Sequence, residues 1–175
     1  MNSVAAEHEY GFAPRAAATS RLIRIAHLAD HRDKIPALTG WLYAEFNHLT
    51  PAQLMIQRGR RLAESAQKNG VPITFIALEG NKLVGSISLL PYSVSHRALT
   101  PLMADVFVTP DCRNRGIGAA LIKHLLQYAE TQGLEKVYLF TTDAEGYYAR
   151  LGWRSFDTWI DRGRRYSIMS IHLPE

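Results

Sequence analysis

The sequence predicts a mixed α/β domain, with helices packed against a central sheet. Three observations carry that expectation. Two β-rich runs joined by a turn stand at "ITFIALEGNKLVGSISLL" (73–90). A strand passes through a polar, glycine-containing turn into a long amphipathic segment at "FVTPDCRNRGIGAALIKHLLQYA" (107–129). Strands and helices interleave along the whole chain, with no internal repeat and no low-complexity linker.

The elements follow in order. Residues 1–20 have no apolar periodicity and are expected as a flexible tail, with 21–175 as one domain. "RLIRIAHL" (21–28) alternates apolar and polar residues and predicts a strand. "DKIPALTGWLYAEF" and "TPAQLMIQRGRRLAESAQKNG" predict two helices. The second has Thr50 as N-cap, Pro51 at the first helical position and Asn69-Gly70 as its stop. The hairpin at 73–90 turns across Glu79-Gly80-Asn81-Lys82. "PYSVSHRALTP" is a loop, and "LMADVFVT" is the next strand. The long helix begins after the glycines and is closed by Gly133. "KVYLFTT" is a strand, "AEGYYARLG" a short helix, and "WRSFDTWI" and "YSIMSIHL" the last two strands. The closing strand is expected at a sheet edge, where it could pair with a second copy, so a monomer or a homodimer is consistent with the sequence.

Composition narrows the class. With 47% hydrophobic and 21% charged residues the chain has the make-up of a water-soluble globular domain. No apolar run approaches the roughly 20 residues that span a bilayer, so no membrane partner is expected. The N-terminus lacks the apolar core of a secretory signal. A single cysteine excludes an intramolecular disulfide. A cytoplasmic location is the expectation. The formal charge of +4 favours anionic partners. The basic residues form no nucleic-acid reader motif, so no nucleic-acid partner is expected. "RGRR" at 58–61 and "RGRR" at 162–165 read as solvated surface.

The turn before the long helix carries the chemistry. A helix N-terminus presents unpaired N–H groups and a partial positive charge, and so attracts anions. Gly116 and Gly118 would each cost about 1 kcal/mol against alanine if they served the helix alone. Glycine removes the Cβ that would hold a phosphate away, and Arg113 and Arg115 add charge at the same place. Leu121, Ile122, Leu125 and Ala129 share one face and pin the helix to the sheet. The turn suits a diphosphate; a tight connection with no ligand is the alternative. A P-loop needs Lys-Ser or Lys-Thr, which is absent. A dinucleotide fingerprint needs Gly or Ala at 121, which is Leu121.

The pattern R-x-x-G-x-G at Arg113-Asn114-Arg115-Gly116-Ile117-Gly118, after the strand Val106-Phe107-Val108, resembles the acyl-CoA-binding motif of the GNAT N-acyltransferase superfamily. "YYARLGW" (147–153) resembles that family's Y-x-x-x-G-[FYW] element. The resemblance covers about residues 20–173, with its specific part in 104–156. It implies a mostly antiparallel twisted sheet of about seven strands, splayed after the fourth and flanked by about four helices. It implies acetyl-CoA as cosubstrate, with Val106, Phe107 and Val108 along the pantetheine arm and Arg113, Asn114, Arg115, Gly116, Ile117, Gly118 and Ala119 about the pyrophosphate. It implies Tyr148 as the general acid that protonates the departing thiolate. A phenol within hydrogen-bond reach of the sulfur can do so on general grounds. Tyr147 and Tyr148 cannot face the same way on a helix; the register selects Tyr148, and Tyr147 reads as core packing.

Departures from the family pattern leave the base open. Asp105 is the one acid on the strands "LMADVFV" and "KVYLFTT". It is a candidate base, and strand alternation equally allows it to face solvent. His96 is a weaker candidate, and water can relay the proton. Thr141 and Thr142 stand near the place where the family often carries an asparagine. Cys112 lies in the turn with no evident histidine partner, so direct transfer in a ternary complex is favoured over an acyl-cysteine. No spacing suggests a metal site, and none is needed. The family's acceptor region corresponds to 40–49 and 161–166. Trp41, Tyr43 and Phe46 offer an aromatic wall, Glu45 and Asp161 would receive a cation, and Arg162, Arg164 and Arg165 an anion. The expected activity is acetyl transfer to a primary amine on a small molecule or peptide. A non-catalytic acyl-CoA-binding module is the alternative.

Overall fold

The computed structural model describes residues 22–46, 55–93 and 95–174. The tail at 1–20 and the Thr50-Pro51 helix start lie outside them. Strand β1 (Ile23–His27) passes through a 3-10 segment (Leu28–Lys34) into α1 (Ile35–Phe46), and α2 spans Met55–Ser65. The hairpin β2 (Ile73–Glu79) and β3 (Lys82–Leu90) leads to β4 (Leu102–Val108), then α3 (Ile117–Thr131) and β5 (Lys136–Thr141). Helix α4 (Glu145–Arg150) and strands β6 (Arg154–Asp161) and β7 (Arg164–His172) complete the chain. The seven strands form one sheet in the order β1-β2-β3-β4-β5-β7-β6. Every pairing is antiparallel except β4 with β5. The expected element order and fold class are both present.

Two apolar layers sandwich the first half of the sheet. Strand β2 is buried on both faces, which is why it reads as a nearly continuous apolar run. Ile73, Phe75 and Ala77 point to α3, where Ile117, Leu121, Ile122, Leu125 and Ala129 meet them. Ile76 and Leu78 point the other way, to Leu38, Leu42 and Leu62 of α1 and α2. The face read from the 3.6-residue period of α3 is therefore the face it buries. Its end is a left-handed Gly133 (φ +69°), with Leu134 N–H donating to Ala129 O at 3.1 Å.

Three expectations need correcting. Strand β7 is not at an edge: it lies between β5 and β6, and the edges are β1 and β6. Sequence neighbours at a chain end say nothing about which strand the chain lays down outermost. Helix α2 stops at Ser65 rather than at Asn69-Gly70. The Ser65 hydroxyl is buried, 3.0 Å from Leu62 O and 2.7 Å from Thr74 Oγ1, which ties the chain to β2 at that point. The "RGRR" of 58–61 is not a solvated surface throughout, because Arg58 is 2% exposed.

Strand β4 is interrupted where the site lies. Ser86 opposes Phe107 and Ser88 opposes Ala104, so Ile87 faces both Asp105 and Val106 in a β-bulge. Asp105 adopts φ +55°, a left-handed conformation that Asp tolerates better than most residues. On the other side β4 meets β5 only at Leu102↔Tyr138, and beyond that pair the two strands part. A cleft opens between them.

Candidate active site

The cleft runs from the phosphate turn to the bulge. At its upper end Thr109 to Gly116 connect β4 to α3. Asn114 (φ +58°) and Gly116 (φ +77°) are both left-handed, which curls successive N–H groups toward one point. Cys112 N–H donates to Thr109 O and Ala120 N–H to Gly116 O. Between them, the N–H groups of Asn114 to Ala119 have no internal acceptor among the described residues. A Cβ on Gly118 would stand 3.4 Å from Tyr147 Oη and 3.8 Å from Val108 Cγ2, so this glycine keeps the approach to the amides open.

The arginines of the turn are held apart from its amides. Arg115 is bonded to Glu79 Oε1 at 2.8 Å and lies 3.6 Å from the buried Cys112 Sγ. Arg113 donates to Val108 O at 3.0 Å and lies 3.6 Å from Glu45 on α1. Their charge reaches the turn, while direct contact with an anion falls first to backbone N–H groups.

Below the turn, between the parted strands, is a cavity of about 230 Å³. It is lined by Asp105 and Val106 of β4, Phe140 of β5, Asp143, Tyr148 of α4 and Tyr166 of β7, among others. Glu45 and Phe46 bring the end of α1 to it. Thr141 Oγ1 accepts the N–H of Ala144 at 3.0 Å, so the hydroxyl near the family's asparagine position is engaged in holding the entry to α4. The Ser167 hydroxyl bonds Glu145 Oε2 and fixes the first turn of α4 to β7.

Both tyrosines of α4 face this cleft at different heights. Tyr148 lines the cavity, with its ring centroid 6.2 Å from that of Trp153 and 5.3 Å from that of Tyr147. Burial, with smaller contributions from Tyr147 and Asp143, pushes its phenol up to about 12. It is therefore a neutral O–H donor throughout the physiological range. Tyr147 is 36% exposed, with its hydroxyl beside Gly118. The core-packing reading of Tyr147 is thus corrected. Its adjacency to the turn depends on how α4 folds back, which no local pattern reveals.

Asp105 is turned toward α2. Its Oδ1 accepts from Arg58 Nη1 at 3.1 Å and its Oδ2 from Arg61 Nη2 at 2.7 Å. The Asp105 side chain is 7% exposed, that of Arg58 2% and that of Arg61 27%. His96 lies outside the cavity lining, packed on Phe140 (5.2 Å between centroids) and Trp159 (4.9 Å). Of the proposed aromatic wall, Phe46 lines the cavity while Trp41 packs on Phe107. Residues 47–49 of the expected acceptor region lie outside the described residues. Among the described residues no group of three or more His, Cys, Asp or Glu side chains is placed to hold a metal, and no helix is long and apolar enough to cross a membrane.

Fold and cleft define a class: an α/β protein whose parted central strands lead from a turn of unpaired main-chain N–H groups, among the described residues, to a small cavity. The description of the acetyltransferase (GNAT) family matches residues 35–153, and the chain belongs to that family. It is 34% identical over 88 residues to an uncharacterized N-acetyltransferase of Methanocaldococcus jannaschii, a match over 48% of this chain and 35% of that relative's length. The fold is shared with solved structures at low identity. An aminoglycoside 6'-N-acetyltransferase complexed with coenzyme A superposes with a TM-score of 0.65 at 17% identity, over 87% of this chain and 98% of the other. N-acetylglutamate synthase from Neisseria gonorrhoeae, complexed with coenzyme A and N-acetyl-glutamate, gives 0.67 at 16% identity, over 88% of this chain and 36% of the other.

Proposed function

We propose that the protein transfers an acetyl group from acetyl-CoA to a primary amine, by direct attack in a ternary complex. The observation that carries this reading is the continuity of the cleft. Unpaired amides at Asn114–Ala119 lead along the free edge of β4 to a cavity lined by a protonated Tyr148.

Each part has a physical task. The curled amides and the α3 N-terminus suit a pyrophosphate, whose oxygens would replace the missing acceptors. On the side that β5 has left, Val108 O already accepts from Arg113 Nε, and the other cleft-facing main-chain groups of the Val106–Val108 stretch suit pairing with the amide groups of a pantetheine arm. In this reading a main-chain N–H of β4 beside the bulge polarises the thioester carbonyl. The neutral amine attacks that carbonyl, the C–N bond forms, the C–S bond breaks, and the Tyr148 O–H donates to the leaving sulfur. Burial that raises the phenol also raises a thiolate in the same cavity, so the two stay matched closely enough to share the proton.

Asp105 receives a positioning role in this reading. Both of its oxygens are bonded to guanidinium groups of α2, and a base must first reach the proton it removes. The clasp holds the left-handed bulge, and through it the course of β4 along the cleft. The amine gives its proton to water.

The test is release of free CoA thiol from acetyl-CoA against a panel of amines. Amine-dependent release, lost by about 10²-fold or more in Tyr148→Phe with coenzyme A affinity unchanged, is the expected result. Tight cofactor binding with no release from any amine would leave a binding module in place of an enzyme.

A further inference from the structure

The walls of the cavity are unevenly charged. Among the described residues three carboxylates line it, on Glu45, Asp105 and Asp143, and no lysine or arginine does. Two of these carboxylates are already paired: Asp105 with Arg58 and Arg61, and Glu45 with Arg113 at 3.6 Å. Asp143 has no cationic partner among the described residues, and accepts only from Thr142 Oγ1 at 3.3 Å. It stands at the start of α4, close enough to Tyr148 to act on its titration. A cation beside Asp143 is thus beside the reacting centre.

Another part of the wall is aromatic, its rings tilted by 54° (Phe140 to Trp159) and 31° (Trp159 to Tyr166). Phe140 and Tyr166 both line the cavity, and Trp159 joins them at 5.9 and 5.0 Å between centroids. His96 closes this panel from the loop after β3, against Phe140 and Trp159. The arginines of the β6–β7 turn, Arg162, Arg164 and Arg165, lie outside the cavity lining, which resolves the conflict of charges that the sequence presents. A volume of about 230 Å³ has room for a small acceptor.

Building on the acyl-transfer reading, we infer that the acceptor is a primary amine with an apolar body and no carboxylate, which docks as its ammonium on Asp143, passes a proton to water before it attacks, and lays its body on Phe140 and Tyr166. A carboxylate on the acceptor would meet the unpaired charge of Asp143 with no lysine or arginine among the described lining residues to receive it, a juxtaposition that is unfavourable. A short alkylamine would leave the aromatic panel uncovered and forgo its apolar burial.

The experiment compares kcat/KM for CoA-thiol release with phenethylamine, phenylalanine and ethylamine. Phenethylamine is expected to exceed each of the others by at least about tenfold, the equivalent of about 1.4 kcal/mol. In Asp143→Asn the KM for phenethylamine should rise several-fold, and the ratio of phenethylamine to phenylalanine should fall, while the heat of acetyl-CoA binding is unchanged. In Asp143→Lys the ratio should fall further. Equal or better use of phenylalanine, or a ratio that Asp143→Asn and Asp143→Lys leave alone, overturns the inference while amine acetylation stands. No release from any amine by protein that binds acetyl-CoA overturns the acyl-transfer reading, and this inference with it.

Discussion

Replacing Asp105 with Asn separates the two roles open to this residue. The wild-type carboxylate accepts one bond from each of two guanidiniums, at 3.1 and 2.7 Å, in a site where its own side chain is 7% exposed. Asn keeps the shape and the tolerance for φ +55°, but it removes the charge and turns an NH₂ donor toward a guanidinium donor. Breaking a buried ion pair from one side costs about 3–5 kcal/mol, because the other charge stays buried without its counterion. Arg58 is held to that limit. Arg61 is 27% exposed and can swing to water, so its share is smaller. The expected loss is about 2–4 kcal/mol, which for a domain of this size lowers Tm by roughly 5–15 °C. Thermal unfolding followed by circular dichroism reads this directly, with pH–rate profiles of kcat/KM on the folded variant below its Tm. The positioning account expects a lower Tm, a reduced kcat and an unchanged profile shape. A variant as stable as wild type that has lost the ascending limb of its profile would refute the reasoning, and would make Asp105 the base.

Further outcomes follow from the same geometry. Gly118→Ala adds a good helix former where a Cβ has room beside the mobile end of Tyr147, so stability should hold or rise by up to about 1 kcal/mol. The same methyl stands at the approach to the amides, so the Kd for coenzyme A should rise; calorimetry showing unchanged affinity would remove Gly118 from the cofactor path. The ascending limb of kcat/KM against pH should follow the pKa of whichever acceptor amine is used, since water takes its proton; a limb fixed across acceptors would point to a protein base. His124 is held below its usual pKa by burial and then by the charge of His27. A depressed His contributes stability that is present above the unfolded value of about 6.5 and is lost as pH falls through the folded value. The Tm of wild type should therefore fall relative to that of His124→Gln as pH drops through that window.

How much of this the sequence revealed depended on the range of the interactions involved. Helix α3 was legible because its buried face, Ile117 to Ala129, is written within one amphipathic segment. The β2–β3 hairpin was legible because its turn residues lie between its strands. The phosphate turn was legible for the same reason: strand, glycines and helix are contiguous. Arg58 was misread as surface because its partner is 47 residues away, on a strand whose bulge no pattern announces. The placement of β7 inside the sheet was hidden because it depends on pairing with β5, some 30 residues earlier. Tyr147 was assigned to packing because its neighbour Gly118 lies across the cleft. The acceptor's character was illegible for a related reason. Glu45 and Asp161 oppose Arg162, Arg164 and Arg165 across 40–49 and 161–166, and only the fold decides which of them face inward.

The central claim is that main-chain amides of the β4–α3 turn hold the diphosphate of coenzyme A. Backbone ¹H–¹⁵N resonances of Asn114 to Ala119, recorded with coenzyme A and separately with pantetheine, which lacks the diphosphate, test it most directly. Large downfield amide shifts confined to this turn with coenzyme A, and absent with pantetheine, are the predicted result. Resonances that stay in place as coenzyme A saturates the protein would contradict the account.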